Sequence, residues 1–207
     1  MVNALELVSI SDFVLSALCL FLSGILFGNM KSHLSRSGML CYFILFSGLS
    51  AFMGGIDHGF FQPINQSYIP RTLTYLFLAA ATFSIFRYTI LTYFNGAVSR
   101  VLLFLAYIQL IGVIITSFFY HNFLLVVANY FPILFLFFVM NLLHIKRSKS
   151  ELNFTLFCLI MIVATLIQVF EIKLSNMING DSLFHIIAII AYLFMFRGVK
   201  KISNSDM

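Results

Sequence analysis

The chain has 207 residues, 61% of them apolar and 9% charged, with a mean hydropathy of +1.03. A soluble domain is about 25% charged, so the composition excludes an ordinary soluble enzyme and leaves no length for one beside membrane helices. The net charge of +5 does not mark a nucleic-acid partner, because the basic residues fall in the breaks between apolar runs or near the ends of those runs, apart from Arg87 within the third.

A span needs about 20 mostly apolar residues, and seven stretches qualify: 7–29, 39–61, 71–94, 99–118, 122–144, 152–172 and 180–198. The first follows no basic segment and reads as a span, not as a cleaved signal peptide. The second ends in Gly54-Gly55-Ile56-Asp57-His58-Gly59-Phe60-Phe61, whose glycines let a neighbouring backbone come close. Asp57 and His58 point about 100° apart on a helix, which favours one of them, His58, for the bundle interior. The fourth and fifth spans are separated only by a turn near Tyr120-His121-Asn122. Gln109, Asn129 and Gln168 lie deep in spans four, five and six, where hydrogen bonding between helices is their expected role. Cys19, Cys41 and Cys158 fall in apolar runs as small hydrophobes, with no disulfide framework. The last span opens with Asn179-Gly180-Asp181-Ser182-Leu183-Phe184-His185. Asp181 and His185, four apart, share a helix face with Cβ atoms about 6 Å apart.

Breaks this short make consecutive helices antiparallel neighbours. The expected fold is all-α: one seven-transmembrane helix bundle over residues 1–207. Seven crossings put Lys31, Arg36, Arg100, Lys146, Arg147, Lys149, Arg197, Lys200 and Lys201 on one side and only Arg71 and Lys173 on the other. By the positive-inside rule the N-terminus is outside and the C-terminus cytoplasmic. His33 and His144 read as loop residues of the basic side. Glu6, Asp12, Asp57, Glu171 and Asp181 project to the outer end with His58, His121 and His185. Ionisable groups gathered at one depth suggest a polar, water-accessible cavity. Two histidines and a carboxylate from two helices, His58, His185 and Asp181, make a three-ligand zinc set with a fourth position for water. His121 is a reserve ligand.

Residues 180–196, GDSLFHIIAIIAYLFMF, resemble the last span of the alkaline ceramidase, adiponectin receptor and Per1-like superfamily of seven-transmembrane hydrolases. In that superfamily two histidines four apart open the seventh helix, and a third near the end of the second completes a zinc site. The resemblance implies that His58 is that third histidine, that His185 is the second of the pair, and that Asp181 stands for the first. It also implies the outside N-terminus, which the ceramidase branch shares. Gly54 stands where the superfamily usually has a serine. Tyr68 to Tyr75 offers Arg71, Thr72 and Thr74 where it usually has an aspartate, and Asp57 or Asp12 is the substitute carboxylate available. The implied function is a zinc-dependent membrane hydrolase that attacks a lipid amide or ester with metal-activated water. Asp57 is the catalytic candidate, a membrane lipid the partner, and a bacterial inner membrane or an endomembrane the location. A small-solute transporter or channel, and a catalytically silent sensor or assembly protein of the same fold, are the competing classes.

Overall fold

The computed structural model describes residues 4–30, 32, 35–175 and 177–205, apart from the side chains of Phe123, Asn204 and Ser205. Lys31 and His33, expected in the first basic loop, lie outside the described residues. The chain folds as α1 (Ala4–Gly28), α2 (Arg36–Ile56), α3 (Tyr68–Tyr93), α4 (Gly96–Ser117), α5 (Phe123–Leu143), α6 (Lys149–Val169) and α7 (Gly180–Ser205). A π-helical turn, Asp57–Phe61, and a 3-10 turn, Gln62–Ile64, prolong α2. Among the described residues there is no strand, and seven helices are long and apolar enough to cross a membrane.

Several helices begin up to three residues before their apolar stretch, because polar caps start a helix where hydropathy sees nothing. Ser35 Oγ accepts from Gly38 N at 3.1 Å, and Ser148 Oγ accepts from Ser150 N at 3.0 Å. Asn122 caps α5 in the same way through Leu124 N. At its far end α7 runs seven residues past the expected 198, through Lys200 and Lys201. Lys is a good helix former, so the helix outlasts the apolar segment that announces it.

Short connections make consecutive helices alternate in direction. Contacts run α1 to α2, α2 to α3, α3 to α5, α5 to α6, α6 to α7 and α7 back to α1, so six helices close a ring. Its two non-consecutive contacts, α3 with α5 and α7 with α1, join helices that run parallel. The remaining helix, α4, lies outside this ring, mainly against α3. Its only buried residues are Ala106 and Ser117, while Phe104, Ile111 and Ile115 face outward. Gln109 tethers it, donating to the backbone and side-chain oxygens of Asn129 at 2.9 Å each, while Asn129 donates to Thr82 Oγ1 at 3.2 Å. These are the interhelical bonds expected of Gln109 and Asn129.

The core is aromatic. Phe43, Phe157 and Tyr192 pack with ring centroids 5.6 to 5.9 Å apart, and Phe137 and Phe154 are fully buried beside them. Gly198 of α7 leaves the space that the Phe154 ring fills. The three cysteines are free and buried. His144 closes α5, its Nδ1 donating to Met140 O at 2.7 Å.

Candidate functional site

The site begins with the approach of α1 to the glycines at the end of α2. Ser9 Oγ donates to Gly55 O at 2.7 Å. A Cβ at Gly59 would stand 2.6 Å from Ser9 Oγ, and one at Gly55 would press on the Phe13 ring. Gly54 matters most: its Cβ would meet the Asp12 carboxylate, 3.1 Å from Oδ2 and 3.3 Å from Oδ1. A serine here would crowd that carboxylate. Bare glycine backbone instead lets Asp12 sit within the bundle at 3% exposure.

Two histidines converge on this carboxylate. His185 Nε2 lies 3.1 Å from Asp12 Oδ1, and His58 Nε2 lies 3.9 Å from Oδ2. The other ring nitrogens fix the tautomers. Ser11 Oγ is 3.1 Å from His185 Nδ1, and its single proton goes to Val8 O at 2.8 Å. A hydroxyl has one proton to give, so His185 Nδ1 is the donor. Gln62 Oε1, 2.6 Å from His58 Nδ1, accepts in the same sense. Both neutral imidazoles would therefore turn a bare Nε2 lone pair toward a carboxylate. Asp12 Oδ2 is buried and has no hydrogen-bond partner among the described residues. Lone pairs facing lone pairs in a buried site require an added proton or a cation.

The π-helical turn carries the rest of the constellation. Its wider i→i+5 bonding, Gln62 N–H to Asp57 O, changes the step that a regular helix would impose. The sequence favours His58 over Asp57 for the interior. In the structure both line one cavity, and Asp57 is the more buried at 3% exposure. Arg71, at the start of α3, donates from Nε and Nη2 to Asp57 Oδ2 at 3.2 and 3.1 Å, and Asp57 Oδ1 has no hydrogen-bond partner among the described residues. The helix-three stretch thus contributes a cation to this layer.

Asp181 lines the same cavity, but its bonded partner is on α6: Oδ1 accepts from Gln168 Nε2 at 2.9 Å. Of the expected set His58, Asp181 and His185, the two histidines come together, and the carboxylate facing both of them is Asp12. His121 sits at the rim, donating from Nε2 to Thr72 Oγ1 at 2.8 Å, with the Tyr68 and Tyr75 rings against it. Asp12 carries no local signal in the sequence, since its partner His185 is 173 residues away. Gln62 is legible in retrospect, four residues after His58 and so on its helix face.

The cavity has a volume of about 350 Å³, and inward from this polar layer it is lined by Phe43, Leu78, Val127, Met161, Ala188 and Tyr192. Its ionisable lining is three carboxylates (Asp12, Asp57, Asp181), one guanidinium (Arg71) and three histidines. With the histidines neutral and all three carboxylates ionised, two negative charges would be left uncompensated. Among the described residues no three His, Cys, Asp or Glu side chains are gathered tightly enough to hold a metal ion as they stand.

A family model described as a family of unknown function, DUF6962, matches residues 7–204. No curated protein matches the chain, and no solved structure does.

Proposed function

We propose that this chain, which belongs to the DUF6962 family, is a zinc-dependent membrane hydrolase that cuts a lipid amide or ester. The observation that carries the reading is the convergence of His58 and His185, both through Nε2, on the buried Asp12 carboxylate, whose Oδ2 has no hydrogen-bond partner among the described residues, at the polar end of an apolar cavity.

The residues fit such an ion in kind. Two imidazoles and a carboxylate are a catalytic zinc donor set, with a fourth position left open. Zinc ligands at about 2.0–2.1 Å stand roughly 3.3 Å apart across a tetrahedral edge, and the His185–Asp12 separation of 3.1 Å is of that size. The 3.9 Å between His58 and Asp12 closes with a small side-chain rotation. Ser11 and Gln62 hold the Nδ1 protons, as outer partners of metal-bound histidines do. One divalent ion also balances the two surplus negative charges of the lining. His58, His185 and Asp12 would hold it, and zinc in such a site polarises a carbonyl and activates water.

The other side chains have separate duties. Asp57, held by Arg71 through Oδ2, keeps Oδ1 free to accept a proton from water. Gln168 holds Asp181 at the cavity wall, and the apolar depth takes a lipid tail. The basic side of the bundle faces the cytoplasm, so the site opens to the outside or a lumen of a bacterial inner membrane or an endomembrane.

Metal analysis of the purified protein tests this. One zinc per chain is expected, lost in His185→Ala and Asp12→Ala, with fatty acid released from a panel of lipid amides and esters. Wild-type protein without stoichiometric zinc sinks the reading. The silent-fold reading draws on Gly54 and Arg71 standing in place of the superfamily serine and aspartate, and zinc without turnover is its signature. A transporter would need a polar site near the midplane, whereas these ionisable groups gather at one end.

A further inference from the structure

A second cavity, about 410 Å³, adjoins the first and is lined by Gln62, Asn65, Ser67, Tyr68, Arg71 and His121. All six side chains are polar, one is a cation and none is a carboxylate. Arg71 and His121 belong to both linings, so this vestibule opens off the apolar cavity. It sits where α2 ends and α3 begins, at the end of the spans, the depth of lipid head groups.

We propose that the vestibule binds the phosphate head group of a single-chain amphiphile whose tail occupies the apolar cavity. This rests on the hydrolase reading only in taking that cavity for the lipid's site. The hydrogen-bonding capacity left in the vestibule is mostly donor. Gln62 Oε1 is taken by His58, which leaves the Gln62 amide N–H groups. The Tyr68 hydroxyl is committed to Phe118 O at 3.0 Å, and the Ser67 side chain makes no capping bond. Arg71 uses Nε and Nη2 on a single oxygen of Asp57, with Nη1 uncommitted, and its side chain is 32% exposed. A guanidinium fixed from behind by a carboxylate is set to take an oxyanion from the front, and phosphate supplies the acceptors that these donors lack. Asp12 and Asp181 line the deep cavity and not the vestibule, so they repel a phosphate from the depth and orient the amphiphile head outward, tail inward.

The test is native mass spectrometry of detergent-purified, chelator-treated full-length protein. Its probes are a lysophosphatidate, a monoacylglycerol of the same chain length, and glycerol phosphate alone. The lysophosphatidate is expected to bind about tenfold or more tighter than the monoacylglycerol, and glycerol phosphate far more weakly than either lipid. Arg71→Lys should narrow the preference. Ser67→Asp, which removes no capping bond and sets a carboxylate in the vestibule one turn before Arg71, should abolish it with the melting temperature kept. Equal binding of the two lipids, or a Ser67→Asp variant that keeps the preference, overturns the proposal; glycerol phosphate binding as tightly as the lysolipid overturns its amphiphile part. Preferential binding with no turnover by zinc-loaded protein sinks the hydrolase reading and leaves this one standing. Turnover of neutral lipids without any head-group preference does the reverse.

Discussion

Gly54 and Asp12 fit each other: the missing Cβ of one is the space occupied by the carboxylate of the other, with 3.1 Å as the closest approach a methyl would make. Gly54→Ala should therefore push Asp12 off the histidines without unfolding the bundle. The crowding is offset by the roughly 1 kcal/mol that alanine gains over glycine in a helix, so stability should shift by less than about 1 kcal/mol. Zinc affinity, read by competition with a chromogenic chelator, should fall about tenfold. Unchanged affinity would mean that the carboxylate does not touch the ion.

Asp12 and Asp181 are separable by thermal shift. Zinc at a hundredfold its dissociation constant adds about 2.7 kcal/mol to the stability of a protein that binds it only when folded. Asp12→Asn should erase this gain, and Asp181→Asn should keep most of it. Chelated Asp12→Asn protein should melt above chelated wild type, because one of three carboxylates that share a single guanidinium has been removed. Loss of the zinc shift in Asp181→Asn alone would return the third ligand to α7.

Arg71 and Asp57 are coupled. Breaking a buried ion pair from one side costs about 3–5 kcal/mol. Arg71 is 32% exposed, and solvent screening lowers the expectation for Arg71→Met to roughly 1–3 kcal/mol. Asp57→Asn alone should cost less, and the double variant should recover much of the loss. A double-mutant cycle in denaturant measures it, and additive costs would show that the 3.1 Å contact does not couple the two residues.

Far from the site, Gly198→Ala drives a methyl into the buried Phe154 ring. Overpacking of this kind costs roughly 1–3 kcal/mol. The variant should melt early yet bind zinc like wild type, which separates loss of fold from loss of site.

The spans were legible because a membrane allows one kind of segment, and twenty apolar residues in a row announce it. Gln109, Asn129 and Gln168 were legible for the same reason, since amides buried among helices find one another. The helix ends set by Ser35 and Ser148 were not, because a cap is a local hydrogen bond invisible to hydropathy. That Asp57 and His58 line one cavity was not legible, because a regular helix sets neighbours about 100° apart and the chain here makes a π-turn. Asp12 was visible as one acid among five in an outer layer and as a substitute carboxylate, but not as the group that both histidines face. Its pairing with His185 is a product of ring closure between α1 and α7, and no local pattern encodes a contact between the two ends of a chain.

The helix outside the ring has a role of its own. Without α4 the wall would still close, since α3 touches α5 directly. Yet a chain leaving α3 and entering α5 at once would run the other way, and α5, α6 and α7 would all insert upside down. His185 would then sit at the opposite end of the bundle from His58 and Asp12. What α4 supplies is parity, one extra pass along the bundle that returns the chain to the correct end. Shortening it below membrane thickness should therefore show up as inverted topology of everything after it, with the wall itself unbreached.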